Sequence, residues 1–328
     1  TDPHGFYLGR DKFGTNILTD FDRRSDDKTN ANVLILGNSG QGKSHLLKGI
    51  LANLRESGKS LIVLDPEQEY QELCENLGGC YLDYLSGEYV INPLQPLAWN
   101  EETDNEDDER TPEQRDAAPM SRLSLSESGQ LAPAPKPPVV PVTGPFQKTT
   151  MLSRHISYLK DFFRSYKDFT TAQLDTIELM LQRLYRRFGM DDYTDFSQVA
   201  ADKFPTMSDF YDLLEEEFDL YDPKRKNLFS EETIQEVCLG LHSMCKGAES
   251  KYFNGHTNIK DDKFLVFGVK GIMELNRSLR DALLFSILSY MTNALLGAGN
   301  YVGALDELYL FLTNLTAIEY IRNLMKRD

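Results

Sequence analysis

Gly37-Asn38-Ser39-Gly40-Gln41-Gly42-Lys43-Ser44 fits the phosphate-binding pattern G-x-x-x-x-G-K-[ST] without a mismatch. Upstream, Asn32-Val33-Leu34-Ile35-Leu36 is a short apolar run of β-formers and reads as a buried strand. Downstream of His45, Leu46, Leu47, Ile50, Leu51 and Leu54 recur at helical spacing, and Gly58 stops the helix. Strand, glycine loop and helix come in the order that polyphosphate binding needs. Glycines let backbone N–H groups turn inward around the anion, and the helix N-terminus adds its partial positive charge. The candidate binding residues are therefore Gly37, Asn38, Ser39, Gly40, Gln41, Gly42, Lys43, Ser44 and His45. Lys43 would reach the β- and γ-phosphates, and the Ser44 hydroxyl would ligate Mg²⁺. The competing reading, a glycine-rich turn with a chance lysine, has to explain away the flanking strand and helix.

Ser60-Leu61-Ile62-Val63-Leu64-Asp65 reads as a second buried strand with an acidic end. A crossover helix between two such strands implies that they run parallel. Pro66-Glu67-Gln68-Glu69-Tyr70 comes next, at the sheet edge where ligands bind in parallel α/β folds. Asp65, Glu67 and Glu69 either contact the ion through water and orient water, or Asp65 caps the next helix and the glutamates, Glu69 above all, are its solvated first turn. Far along the chain, Tyr301-Val302-Gly303-Ala304-Leu305-Asp306-Glu307 is an apolar strand ending in two carboxylates. That is the second half of a nucleotide-hydrolase site, in which Asp306 holds Mg²⁺ through water and Glu307 polarises the attacking water. The alternative for Asp306 is a helix cap. The candidate catalytic residues are Glu307, Lys43 and Glu67, and the candidate metal ligands are Ser44 and Asp306.

Composition bounds the rest. The 328 residues carry 35 basic and 51 acidic side chains, a net charge of −16. Broad electrostatic wrapping of nucleic acid is disfavoured, and only a local basic groove is left for such a partner. Cys74, Cys80, Cys238 and Cys245 show neither a CxxC pair nor zinc spacing and read as thiols of a reducing compartment. Residues 282–305 are uncharged but broken by Ser286, Ser289, Thr292, Asn293, Gly297, Gly299 and Asn300, so they read as buried helix, turn and strand, not a membrane span.

The chain divides by pattern. Residues 1–100 read as the first part of an α/β nucleotide-binding core, opened by a β-hairpin and closed by short strands at Tyr81–Tyr84 and Tyr89–Leu94. Residues 101–148 read as a disordered linker: nine acidic residues and two arginines crowd 101–116, and Pro, Ser and Ala dominate 117–145. Residues 149–250 read as an all-α lobe, with helical apolar faces near 152–163, 174–188, 207–221 and 231–244 and Ser230 as an N-cap. His155 and His242 lie on these helices as packed or exposed side chains, and Arg183, Arg186 and Arg187 as a solvated face. Residues 251–328 return to the α/β pattern, with a strand at 264–269, a long helix at 279–296 and a terminal helix at 312–328. The chain opens without methionine and reads as a fragment, its sheet expected to continue past Asp328.

Five segments carry a resemblance to a family: NVLILGNSGQGKS (32–44), LDPEQEY (64–70), INPL (91–94), YFNGHTNI (252–259) with FLVF (264–267), and LDELYLF (305–311). The sequence resembles the C-terminal ATPase domain of conjugation and type IV secretion ATPases of the TraC/TrbE/CagE kind, whose VirB representative is the system's fourth component. That resemblance implies an α/β, RecA-like phosphate-loop NTPase core with a mostly parallel sheet and an inserted all-α lobe. It implies Mg²⁺ with ATP or ADP at Lys43, Ser44, Asp306 and Glu307, and hydrolysis coupled to pilus biogenesis and substrate transfer. It also implies oligomers, often hexamers, at the cytoplasmic face of the inner membrane, beside other secretion components and a coupling ATPase. Gly268 departs from relatives that often carry an acidic residue after that strand. Two other functions stay open: a DNA-pumping translocase of the coupling-protein or FtsK/HerA type, and a nucleotide-gated assembly scaffold.

Overall fold

A computed structural model describes residues 5–21, 32–38, 40–96, 123–125, 131–133, 150–260, 262–297, 300–311, 317–318 and 321–322. The hairpin expected at the start forms from β1 (Phe6–Arg10) and β2 (Asn16–Thr19), which pair antiparallel. Helix α1 (Lys43–Glu56) follows the glycine loop, then β3 (Ser60–Asp65), α2 (Gln71–Asn76) and β4 (Cys80–Asp83). Residues 99–149 form a separate compact unit, of which β5 (Leu123–Leu125) and β6 (Leu131–Pro133) are described as an antiparallel pair. No strand is expected there from composition. Four long helices come next: α3 (Met151–Tyr166), α4 (Thr171–Arg187), α5 (Met207–Asp219) and α6 (Glu231–Cys245). A short turn, α7 (Ser250–Phe253), leads to β7 (Phe264–Gly268), α8 (Lys270–Met273), α9 (Arg277–Gly297) and β8 (Tyr301–Leu305). The remainder of the 101–148 linker, and most of the helix expected at 312–328, lie outside the described residues.

The main sheet has the order β4-β7-β3-β8, and every pairing in it is parallel. β3 lies between β7 and β8, with Leu64 opposite Phe267 on one side and Leu305 on the other. Both faces are covered, which explains why these strands read as unbroken apolar runs. Leu61 and Val63 face Ile50, Leu51 and Leu54 of α1 together with Tyr70 and Cys74. Ile62 and Leu64 face the other way, into a core shared with α9 and the four long helices. Phe162 of α3 meets Phe285 of α9 at 6.0 Å and Phe253 at 5.8 Å between ring centroids. Each such fully buried side chain contributes about 1.5–3 kcal/mol of transfer free energy.

The four helices begin where their caps are written. Thr150, Thr170, Thr206 and Ser230 each accept a hydrogen bond from the backbone N–H three residues on. Thr170 with Gln173, and Thr206 with Asp209, close reciprocal capping boxes. Arg183 and Arg187 of α4 pair with Glu217 and Glu216 of α5, so this basic cluster is a solvated, paired face.

Two strand expectations are corrected. Residues 32–36 form no strand, and Val33, Leu34 and Leu36 are exposed while only Ile35 packs on the α1 side of the sheet. The described sheet stops at β8 and gives this run no ladder partner, and apolar composition alone does not make a strand. Residues 89–94 are likewise not a strand, although Ile91 and Leu94 are buried. Side chains hold this segment instead: Val90 N–H donates to Asn258 Oδ1 at 2.8 Å and Asn92 N–H to Thr257 Oγ1 at 3.0 Å. Pro93 has no N–H to give a ladder, and Asn92 turns the chain by accepting from Leu94 N–H at 3.1 Å.

Candidate nucleotide-binding site

The glycine loop has the backbone its residues foretell. Gly40 and Gly42 sit at φ 76° and 84°, in the left-handed region that glycine enters without a Cβ penalty. Gln41 N–H donates to the Asn38 carbonyl at 3.3 Å, closing the turn. Gly42 is the N-cap of α1, and Lys43 and Ser44 are its first two residues, both half-buried. The Lys43 ammonium folds back to the Asn38 carbonyl at 3.5 Å, and a Cβ on Gly37 would lie 3.4 Å from Lys43 Cγ. The loop thus wraps its own lysine, with Gly37, Asn38, Gly40, Gln41, Gly42 and His45 exposed around it. Ser39 lies outside the described residues.

The acidic half comes from two adjacent strand ends. Because β3 and β8 pair parallel with Leu64 opposite Leu305, Asp65 and Asp306 emerge side by side at the same edge. Asp65 is fully buried and accepts Glu69 N–H at 3.1 Å on one oxygen and Tyr70 N–H at 3.0 Å on the other. Burial pushes its carboxyl up, against the opposing pull of the turn's N–H groups. Asp65 therefore builds the Pro66–Glu69 turn rather than capping α2, whose N-cap is Tyr70 with no side-chain cap bond. That turn carries Gln68 at φ 60° and leaves the Glu67 side chain exposed.

Asp306 is 8% exposed and also engaged on both oxygens. The Tyr70 hydroxyl donates to Oδ2 at 2.7 Å, and Glu307 N–H donates to Oδ1 at 2.8 Å. Glu307 sits at φ 47°, ψ 46°, a left-handed conformation that costs a non-glycine residue about 1 kcal/mol or more. Glu307 is half-buried and stands as the N-cap of the short turn Leu308–Leu310, with no side-chain cap bond. Tyr70 links the two halves. The Lys48 ammonium lies over its ring, 5.1 Å from the centroid, and 3.8 Å from Glu69 Oε2. Lys48 is four residues after Ser44 on α1, so the two share a helix face. Burial and the Asp306 carboxylate together push the Tyr70 hydroxyl well above the ordinary phenol range.

These residues fit a nucleotide-borne Mg²⁺. The donor set is hard oxygen, Ser44 hydroxyl and Asp306 carboxylate, with a second lone-pair direction left on each Asp306 oxygen. Among the described residues no group of three or more His, Cys, Asp or Glu could hold a metal ion. Of the sequence candidates, Lys43 and Ser44 stand at the loop, Asp306 and Glu307 at the strand end, and Glu67 on the turn beside them. Sequence reasoning assigned no role to Tyr70 or Lys48. The i, i+4 spacing of Ser44 and Lys48 was the available signal for one, and the aromatic ending of LDPEQEY for the other.

The family described as the TraG P-loop domain matches residues 10–112. Protein TraC of Escherichia coli (strain K12) is 40% identical over 60 residues, which is 18% of this chain and 7% of the length of TraC. The structure of VirB4 of Thermoanaerobacter pseudethanolicus matches over 100% of this chain and 74% of its own, with a TM-score of 0.75 and 26% identity. No helix among the described residues is long and apolar enough to cross a membrane. Phosphate loop, parallel sheet and these matches together show an α/β phosphate-loop NTPase fold, in a domain similar to the TraC/VirB4-type conjugation ATPases.

Proposed function

We propose that this domain binds Mg-ATP and hydrolyses it to ADP as the motor of a type IV secretion or conjugation apparatus. The observation that carries the reading is the parallel β3–β8 register, which sets Asp306 and Glu307 at the sheet edge that also bears the Tyr70–Lys48 link to the phosphate-loop helix. The loop's N–H groups and the Lys43 ammonium bind the phosphates and offset their charge. Ser44 and Asp306 would hold the Mg²⁺, which when bound would supply charge neutralisation to the phosphates. Glu307, beside Asp306 and half-buried, orients the attacking water and accepts its proton, with Glu67 as a second carboxylate on the neighbouring turn. The domain works as an oligomer, a hexamer of this chain, at the cytoplasmic face of the inner membrane, in contact with a coupling ATPase and other secretion components; the likeness to TraC and VirB4 supports only its membership of a secretion system.

The test is nucleotide binding and phosphate release by two variants. Lys43→Ala removes the phosphate contact and is expected to lose binding by more than tenfold, since a charged hydrogen bond contributes about 1.5–3 kcal/mol. Glu307→Gln is expected to bind ATP and release no phosphate above background. Unchanged turnover in Lys43→Ala would sink the assignment.

A further inference from the structure

Tyr70 is fully buried, yet the one polar atom of its side chain is spent on a carboxylate 236 residues away in sequence. Three elements converge on it. Its backbone N–H donates to Asp65 at the end of β3, its ring face lies under Lys48 of α1, and its hydroxyl donates to Asp306 after β8. Asp306 is thereby gripped from two sides, by the Tyr70 hydroxyl on Oδ2 and by Glu307 N–H on Oδ1. A lone aspartate at a strand end rotates about two side-chain bonds; these two donors leave it one orientation. The same tyrosine anchors the helix face that carries Ser44, so both oxygen donors named above for the ion are referred to one side chain.

We propose that Tyr70 is a positioning residue for divalent-ion-dependent nucleotide binding: it holds the Asp306 carboxylate and, through Lys48, the Ser44 face of α1 in fixed register. This rests on the nucleotide-binding reading of the loop. The bland alternative is a core tyrosine whose hydroxyl found the nearest acceptor, as buried tyrosines do. The two differ in what loss of the hydroxyl does. A structural hydroxyl costs stability alone, and a positioning hydroxyl costs Mg²⁺ response as well.

Tyr70→Phe keeps the ring, its packing and the Lys48 contact, and removes only the donor. Tyr84 provides the control, because it is also fully buried and its hydroxyl accepts Ile91 N–H at 3.1 Å, with no bond to Asp306. The full chain is titrated with Mg²⁺ at fixed fluorescent adenine nucleotide, with parallel binding in EDTA and thermal unfolding of each variant. Tyr70→Phe is expected to match the unaltered chain in EDTA and to raise the Mg²⁺ concentration at half-maximal binding by about tenfold, from loss of a hydrogen bond to a charged group. Tyr84→Phe is expected to lower the unfolding midpoint and leave the Mg²⁺ response where it was. An unshifted Mg²⁺ midpoint in Tyr70→Phe overturns the proposal, and so does an equal shift in Tyr84→Phe. If Lys43→Ala binds nucleotide as the unaltered chain does, the nucleotide reading falls and takes this proposal with it. Loss of binding in Lys43→Ala with no change in Tyr70→Phe overturns the tether alone.

Discussion

Gly268 ends β7 at the sheet edge where the resemblance leads one to expect an acidic side chain. The space is already filled. A Cβ on Gly268 would lie 2.3 Å from the Tyr81 hydroxyl and 2.7 Å from its ring carbon Cζ. That hydroxyl is buried and has no hydrogen-bond partner among the described residues, a state that costs about 1–3 kcal/mol. Glycine and tyrosine thus form one packing unit. Gly268→Ala is expected to destabilise the domain by roughly 1–3 kcal/mol through overpacking. The same change in a Tyr81→Ala background is expected to cost clearly less, and a denaturant-based double-mutant cycle measures the difference. Equal costs in both backgrounds would refute the coupling. At this scale the phosphate loop was legible because its chemistry is local: glycine conformations, a lysine and a hydroxyl within eight consecutive positions. Tyr70 and Tyr81 were not, because their partners, Asp306 just past β8 and Gly268 at the end of β7, lie far along the chain.

Among elements, the four long helices were legible from period, and the last of them also from its Ser230 cap, since both are properties of neighbouring residues. The runs at 32–36 and 89–94 were not, because a strand exists only with a partner. At 89–94 the partners are the Asn258 and Thr257 side chains. The α3–α4 contact carries a pH prediction. His155 of α3 stacks on Tyr158 at 5.5 Å and meets the edge of Tyr185 at 6.0 Å. It is 2% exposed, its Nε2 has no hydrogen-bond partner among the described residues, and burial pushes its pKa down to about 3. The folded protein therefore keeps it neutral while the unfolded chain takes a proton near its ordinary value of 6.5. Its contribution is whole above pH 6.5 and is lost as pH falls towards 3. The loss approaches about 1.4 kcal/mol per pH unit, or about 2 kcal/mol by pH 5. Unfolding free energies measured from pH 7 to 5 are expected to fall less steeply in His155→Phe than in the unaltered chain. Parallel curves would show that His155 is not the group responsible.

At the scale of the whole molecule, a net charge of −16 works against sequence-independent binding of nucleic acid, which depends on released counterions and clustered cations. Arg183 and Arg187, on the basic face of α4, are already paired with glutamates. Double- or single-stranded DNA is therefore expected to leave nucleotide turnover unchanged at low salt. Stimulation that fades steeply with added salt would favour a DNA translocase over a secretion motor. The sequence by itself determined that this protein has a phosphate loop at 37–44, a second acidic strand end at 305–307 and a block of amphipathic helices between them, since each is written in consecutive residues. Only the tertiary structure decided that Asp65 is spent on its own turn, that Tyr70 joins α1 to Asp306, and that Tyr81 fills the place beside Gly268. The physical reason is parallel strand register: it brings residues hundreds of positions apart to one sheet edge, and no local spacing encodes which of them will touch.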